Sequence, residues 1–235
     1  MKRLSVYATV AGALVALSLL LSFSPGAAAQ DSSARKRPPT PTPTSTGQAP
    51  EPILLVHGYQ GSPTQWAQFQ AWLRVNGRTG YAIDLTASQD NVANASAISR
   101  YATARGWTRF AIVAWSMGGL SSRYYLKYDG GSARVDKLVL LGSPNYGVPL
   151  ACFLPVNQGG EMCPSSAFLA ALNAAPIAPG PTTYTTITST NDGMVPNTSS
   201  VLPPPATNLT VTGPDHDHLG TDPGVFKLAL AALSE

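Results

Sequence analysis

Charge is scarce in this sequence. Of its 235 residues, 11% are Asp, Glu, Lys or Arg, against about a quarter in an average soluble domain. Fifteen basic and twelve acidic side chains leave a formal net charge of +3. Apart from Lys2, Arg3 and the run Arg35-Lys36-Arg37 the basic residues are scattered, so the electrostatic footprint that nucleic acids require is missing and no nucleic-acid partner is expected. Cysteine is confined to Cys152 and Cys163, and histidine to His57, His216 and His218. No cluster of these types has the spacing of a metal site, so neither a metal nor another cofactor is expected. Internal repeats are lacking as well.

The N-terminal segment has the order of a secretory signal. Lys2 and Arg3 form a positive start, an apolar stretch runs from about Val10 to Phe23, Ser24-Pro25-Gly26 breaks it, and Ala27-Ala28-Ala29 supplies small residues for cleavage after Ala29. The apolar stretch is short for a membrane anchor. The expected location is therefore extracellular. In an oxidising compartment a disulfide is the default for Cys152 and Cys163. The loop it closes is short, which limits its stabilisation to about 2–3 kcal/mol. Residues 30–50 are rich in Pro and Thr, offer little to bury, and read as a spacer linker, with a removed pro-segment as the alternative. Residues 51–235 are then left for one domain, a length that supports one sizeable core.

Within that domain, short apolar runs alternate with helical stretches. Ile53 to Val56, Phe110 to Ala114 and Leu138 to Leu141 are apolar throughout, as strands buried on both faces are. Tyr81-Ala82-Ile83, Tyr184 to Thr190 and Leu209-Thr210-Val211 read as further strands, the second rich in β-branched threonine. Helices are expected at about 65–76, 93–105, 117–129 and 165–173. A last one starts near Thr221-Asp222-Pro223, with Val225, Leu228, Ala229 and Ala232 as its buried stripe. Residues 142–164 read as loop. The alternation predicts an α/β fold, a mostly parallel sheet with helices on both faces.

The segment Ala114-Trp115-Ser116-Met117-Gly118-Gly119 falls between a buried strand and a helix, where a nucleophile elbow presents its serine. Small residues are needed two before and two after the serine, and Ala114 and Gly118 meet that need. A serine nucleophile requires a base and the base an orienting acid, in the chain order Ser, Asp or Glu, His for such an elbow. His57 precedes Ser116, which excludes it as the base and leaves His216 and His218. Asn191-Asp192-Gly193 directly follows a strand, so Asp192 is the expected acid. Asp129 and Asp136 sit at the wrong edge, Glu161 in the disulfide loop, and Asp215 too near the histidines in sequence. Two oxyanion donors are expected: the N–H of Met117, following the serine, and the N–H of Tyr59 in His57-Gly58-Tyr59-Gln60-Gly61.

Together these motifs resemble the bacterial secreted lipases of the small, lidless α/β-hydrolase type and related actinomycete secreted lipases. Tyr124-Tyr125-Leu126-Lys127, Gly142-Ser143-Pro144-Asn145-Tyr146-Gly147 and Asn191-Asp192-Gly193-Met194-Val195 match as well, so the resemblance spans about residue 53 to the C-terminus. It implies His216 rather than His218 as the base, through the spacing of Gly213 and Val225. It also implies the α/β-hydrolase fold and a monomer that hydrolyses lipid or other small esters at a Ser116-Asp192-His216 triad, in transient contact with a lipid–water interface. Acyl transfer to another alcohol, polyester cleavage, or a non-catalytic surface role on the same scaffold are the alternatives. Trp115 stands where the family usually has histidine. Leu150 to Pro181 is longer than in the smallest members, and is expected to shield the site or to add a wall to it.

Overall fold

The computed structural model describes residues 50–234. The signal segment expected at 1–29 and all but the last residue of the spacer at 30–50 lie outside the described residues. Six strands form one sheet: β1 (Ile53–Val56), β2 (Gly80–Ala82), β3 (Phe110–Trp115), β4 (Val135–Leu141), β5 (Thr183–Ser189) and β6 (Thr207–Val211). Their order is β2-β1-β3-β4-β5-β6, and every neighbouring pair is parallel. Parallel neighbours need crossovers, and helices α1 (Ala67–Val75), α2 (Asn91–Ala104), α3 (Met117–Tyr128), α4 (Ala167–Asn173) and α5 (Asn197–Ser200) fall between successive strands, with α6 (Pro223–Ala232) last.

The period of two along each strand divides the core between the two faces of the sheet. Ile53, Leu55, Ala111, Val113 and Trp115 pack with Phe69 and Leu73 of α1 and with Val225, Phe226 and Ala229 of α6. Leu54, Val56, Phe110, Ile112 and Ala114 pack with Ala95 and Ile98 of α2 and with Tyr125 and Leu126 of α3. All four β1 side chains and all six of β3 are buried. That explains why these strands carry no polar residue. A third cluster joins Met117 and Leu120 of α3 to Val148, Ala151, Met162 and Leu169, so the excursion after β4 is packed down beside the start of α3.

The expected elements are present, with differences that have local causes. Helix α2 starts at Asn91 rather than near Ala93 because the Asp90 side chain accepts the Ala93 N–H, which makes Asp90 the N-cap. Strand β2 is Gly80–Ala82, one residue earlier than expected. Strand β6 extends back to Thr207 because it forms the sheet edge and can be polar. Residues 142–164 are not plain loop: 3-10 turns form at Pro149–Phe153 and Gly160–Met162. Cys152 and Cys163 form the expected disulfide between them. The short α5 has no periodicity to betray it. In α6 the buried stripe includes Phe226, whose ring lies 4.7 Å from that of Phe69.

One buried cation braces this frame. Arg123 is 1% exposed and donates to Asn145 Oδ1 (3.1 Å) and Asn173 Oδ1 (2.9 Å), so that α3 is tied to the loop after β4 and to α4. Desolvation pulls its guanidinium pKa down to about 10.

Candidate active site

The C-terminal ends of β3, β5 and β6 bring three loops together, as expected for ligand sites in open parallel sheets. Ser116 occupies the turn from β3 into α3 at φ 53° and ψ −129°, a backbone conformation that costs a non-glycine residue about 1–3 kcal/mol and persists only when its surroundings enforce it. The enforcement is visible. Ser116 N–H donates to Leu141 O at 2.8 Å. On the other side, a Cβ on Gly118 would lie 2.4 Å from His57 O and 2.7 Å from Val56 O, so the helix backbone passes directly against the end of β1.

His216 reaches this serine from the loop after β6. Its Nε2 lies 2.9 Å from Ser116 Oγ, and its Nδ1 lies 2.9 Å from Asp192 Oδ2 and 3.0 Å from Oδ1. An ionised carboxylate only accepts, so Nδ1 donates to Asp192 and, in the neutral ring, Nε2 is left to accept from the Ser116 hydroxyl. Asp192 follows β5, is 5% exposed, and its Oδ1 also accepts the backbone N–H groups of Met194 (3.1 Å) and Val195 (2.6 Å). His216 N–H returns to Asp192 O at 3.0 Å. His218, by contrast, is exposed and pairs through Nδ1 with Asp215 Oδ1 at 2.6 Å. The structure therefore joins Ser116, Asp192 and His216 and leaves His218 in a separate surface pair.

The loop after β1 closes the other side. A Cβ on Gly58 would fall 2.8 Å from Ser116 Cβ, so only glycine lets this backbone cross over the serine. The Met117 N–H, first in α3, has no intrahelical acceptor by position. Among the described residues no acceptor takes the Tyr59 N–H. His57, set aside as a base on chain order, holds the loop instead. Its Nε2 accepts the Leu85 N–H (3.0 Å) and its Nδ1 donates to Gly58 O (3.0 Å). Burial pulls its pKa below the usual 6.5. A depressed histidine pKa favours folding above that value, and this contribution is lost as pH falls below it. Gln60, next in the loop, adopts φ +50°, and its N–H donates to Gln89 Oε1 at 2.8 Å.

A cavity of about 230 Å³ opens at Ser116, lined by Tyr59, Gln65, Trp115, Met194, His216 and Asp217 among others. None of its lining residues belongs to 150–181. That segment instead backs the Tyr59 ring, against which Gly159 packs with no room for a side chain. Glu161, 4% exposed, accepts from Asn91 N–H (2.7 Å) and Nδ2 (2.9 Å) and so fixes the disulfide loop to the start of α2. Burial raises its pKa against those bonds. Asp84, near the same edge, only closes a turn by accepting from Thr86 N–H and Oγ1. Among the described residues no group of three or more His, Cys, Asp or Glu side chains converges on a metal position. No helix among them is long and apolar enough to cross a membrane.

Sequence reasoning missed three contributors to the site. Gly142, at φ +52°, lies under the triad, and a Cβ there would come within 3.0 Å of Asp192 Oδ2. His57 was legible as excluded from catalysis but not as the clamp of its own loop. Trp115 was legible only as an unusual residue, whereas its indole Nε1–H donates to His216 O at 3.2 Å.

No family model matches the chain. Solved structures do. A lipase of Bacillus licheniformis in its mature form superposes with a TM-score of 0.68 at 22% identity, covering 83% of this chain and 96% of that one. Lipase B of Aspergillus fumigatus gives 0.68 at 19%, covering 79% and 52%. A metagenomic carboxyl esterase gives 0.59 at 16%, covering 76% and 68%. The chain has the α/β-hydrolase fold these enzymes share.

Proposed function

We propose that this chain is a secreted, monomeric serine ester hydrolase of the lipase type. The observation that carries the reading is the continuous hydrogen-bonded line from Ser116 Oγ through His216 to the Asp192 carboxylate. In the proposed reaction His216 Nε2 takes the hydroxyl proton as Ser116 Oγ attacks the ester carbonyl. The resulting oxyanion is held by the Tyr59 and Met117 N–H groups. The proton passes from His216 to the leaving alcohol, and an acyl-serine remains. Water, activated by the same imidazole, then releases the acid and restores Ser116. Asp192 fixes the ring tautomer and stabilises its charged form. These steps call on protein groups alone. The lipase and esterase names of the fold's neighbours support ester substrates. Replacing Ser116 with alanine is expected to reduce p-nitrophenyl ester hydrolysis by at least about a thousandfold while circular dichroism stays unchanged. Full activity in that variant would refute the proposal.

The disulfide loop supports a lipid–water interface as the place of action. Leu150, Phe153 and Val156 are 74%, 87% and 69% exposed, and no charged residue occurs between Lys137 and Glu161. Exposed apolar side chains close together along one segment support an interaction surface. Burial of one such side chain in lipid contributes about 1.5–3 kcal/mol. The double variant Leu150→Ser, Phe153→Ser is accordingly expected to hydrolyse an emulsified triglyceride roughly tenfold more slowly or worse, with soluble p-nitrophenyl acetate unaffected. An equal loss on both substrates would place the effect in the site itself.

A further inference from the structure

In the loop that carries His216, Thr212, Gly213, Asp215, Asp217 and His218 are exposed, while Pro214, His216 (5% exposed) and Leu219 are buried. Ser189 Oγ donates to Pro214 O, and the His216 peptide has partners of its own. Its N–H donates to Asp192 O, and its C=O accepts from the Trp115 indole at 3.2 Å and, at 3.4 Å, from the Leu219 N–H of the loop's own turn, so that Trp115 is the donor from outside the loop. Trp115 ends β3, where its backbone pairs with Leu141, and it directly precedes Ser116. The residue is 7% exposed. It meets Trp66 edge-on at 6.5 Å between centroids, and a Cβ on Gly220 would lie 3.4 Å from its nearest ring atom, in ordinary contact. The indole is thus fixed at one end by the sheet and on its faces by packing, with Nε1–H aimed at the histidine loop.

We propose that Trp115 is a positioning residue that sets the His216 peptide in register with Ser116. Because the donor sits on the residue next to the serine, any movement of the elbow carries the imidazole with it. The Ser116–His216 distance is then preserved when the loop's exposed residues move. Resting on the serine-hydrolase reading, the inference concerns how the base is held, not which ester is cut. It needs a donor at one ring position rather than a large ring as such.

Two substitutions separate those properties. Trp115→Phe keeps an aromatic ring in the core and removes the N–H. Trp115→His loses the larger ring, but its five-membered ring carries Nε2–H in the position of the indole Nε1–H. For soluble p-nitrophenyl acetate, Trp115→Phe is expected to lower kcat roughly tenfold to a hundredfold, a larger change than any in KM from its place in the cavity wall, because the main loss is of alignment. Its thermal midpoint should stay near that of the parent, and the downfield proton resonance of the His216–Asp192 pair should broaden. Trp115→His should melt earlier yet retain kcat within about threefold. A Trp115→Phe enzyme within twofold of the parent kcat overturns the proposal. So do two variants whose kcat simply follows their thermal stability. In the unsubstituted protein the Trp115 indole proton should resist solvent exchange, a reading that needs no variant to fold, and rapid exchange also overturns the proposal. Failure of the parent protein to react with a fluorophosphonate would instead refute the serine-hydrolase reading, with the indole exchange still judging the geometry.

Discussion

His216→Ala is expected to lower kcat/KM for a soluble ester by at least about a thousandfold, while His218→Ala leaves it within about twofold. The two histidines are two residues apart, and only the backbone geometry separates them. His216 is buried between Ser116 Oγ and the Asp192 carboxylate, so its loss removes the acceptor for the serine proton and strands a buried carboxylate. His218 faces solvent and is paired with exposed Asp215. Exposed pairs of that kind contribute little. Steady-state kinetics on the two purified variants checks this. Equal losses would mean that the loop rearranges so that either imidazole can serve.

Gly118→Ala should be nearly as damaging by a different route. The added methyl would meet two backbone carbonyls, His57 O at 2.4 Å and Val56 O at 2.7 Å. Neither is a flexible side-chain end that can turn aside. Strand β1 and helix α3 must therefore separate, at a cost of about 1–3 kcal/mol for overpacking. The separation falls where Ser116 and Met117 face the Gly58–Tyr59 loop, so the two proposed oxyanion donors move apart. Misplacement of about 1 Å can cost a hundredfold in rate. The expected result is a folded protein, measurably less stable to urea, with kcat/KM reduced by about a hundredfold or more. Unchanged kinetics at the parent's stability would show that the close approach does not constrain the elbow.

Much of this was legible in the sequence because the signals were local. Ile53–Val56 and Phe110–Trp115 lack polar residues because both faces are buried, and that requirement is written directly into the chain. The elbow was legible for the same reason, since Ala114, Ser116 and Gly118 obey a steric rule within five residues. What was not legible depends on contacts distant in sequence. Nothing near Trp115 announces that its indole N–H meets a carbonyl 101 residues later. Gly142 reads as a turn glycine until Asp192 is placed above it. His57 carries no local mark of its bond to Leu85. The excursion from Leu150 to Pro181 was expected to shield or wall the site. It packs on α3 and Tyr59 instead, because Ala151, Met162 and Leu169 turn inward and the Glu161–Asn91 bonds fix it to α2. Element ends shifted where a cap intervened, as Asp90 does for α2.

Everything proposed for this chain turns on Ser116 being its activated nucleophile. The most direct measurement is incubation of the whole protein with a fluorophosphonate, followed by digestion and mass spectrometry of the adduct. One phosphonylated peptide, modified at Ser116, is expected, with labelling lost in His216→Ala. A folded protein that takes up no probe, or that takes it up on a different side chain, would contradict it.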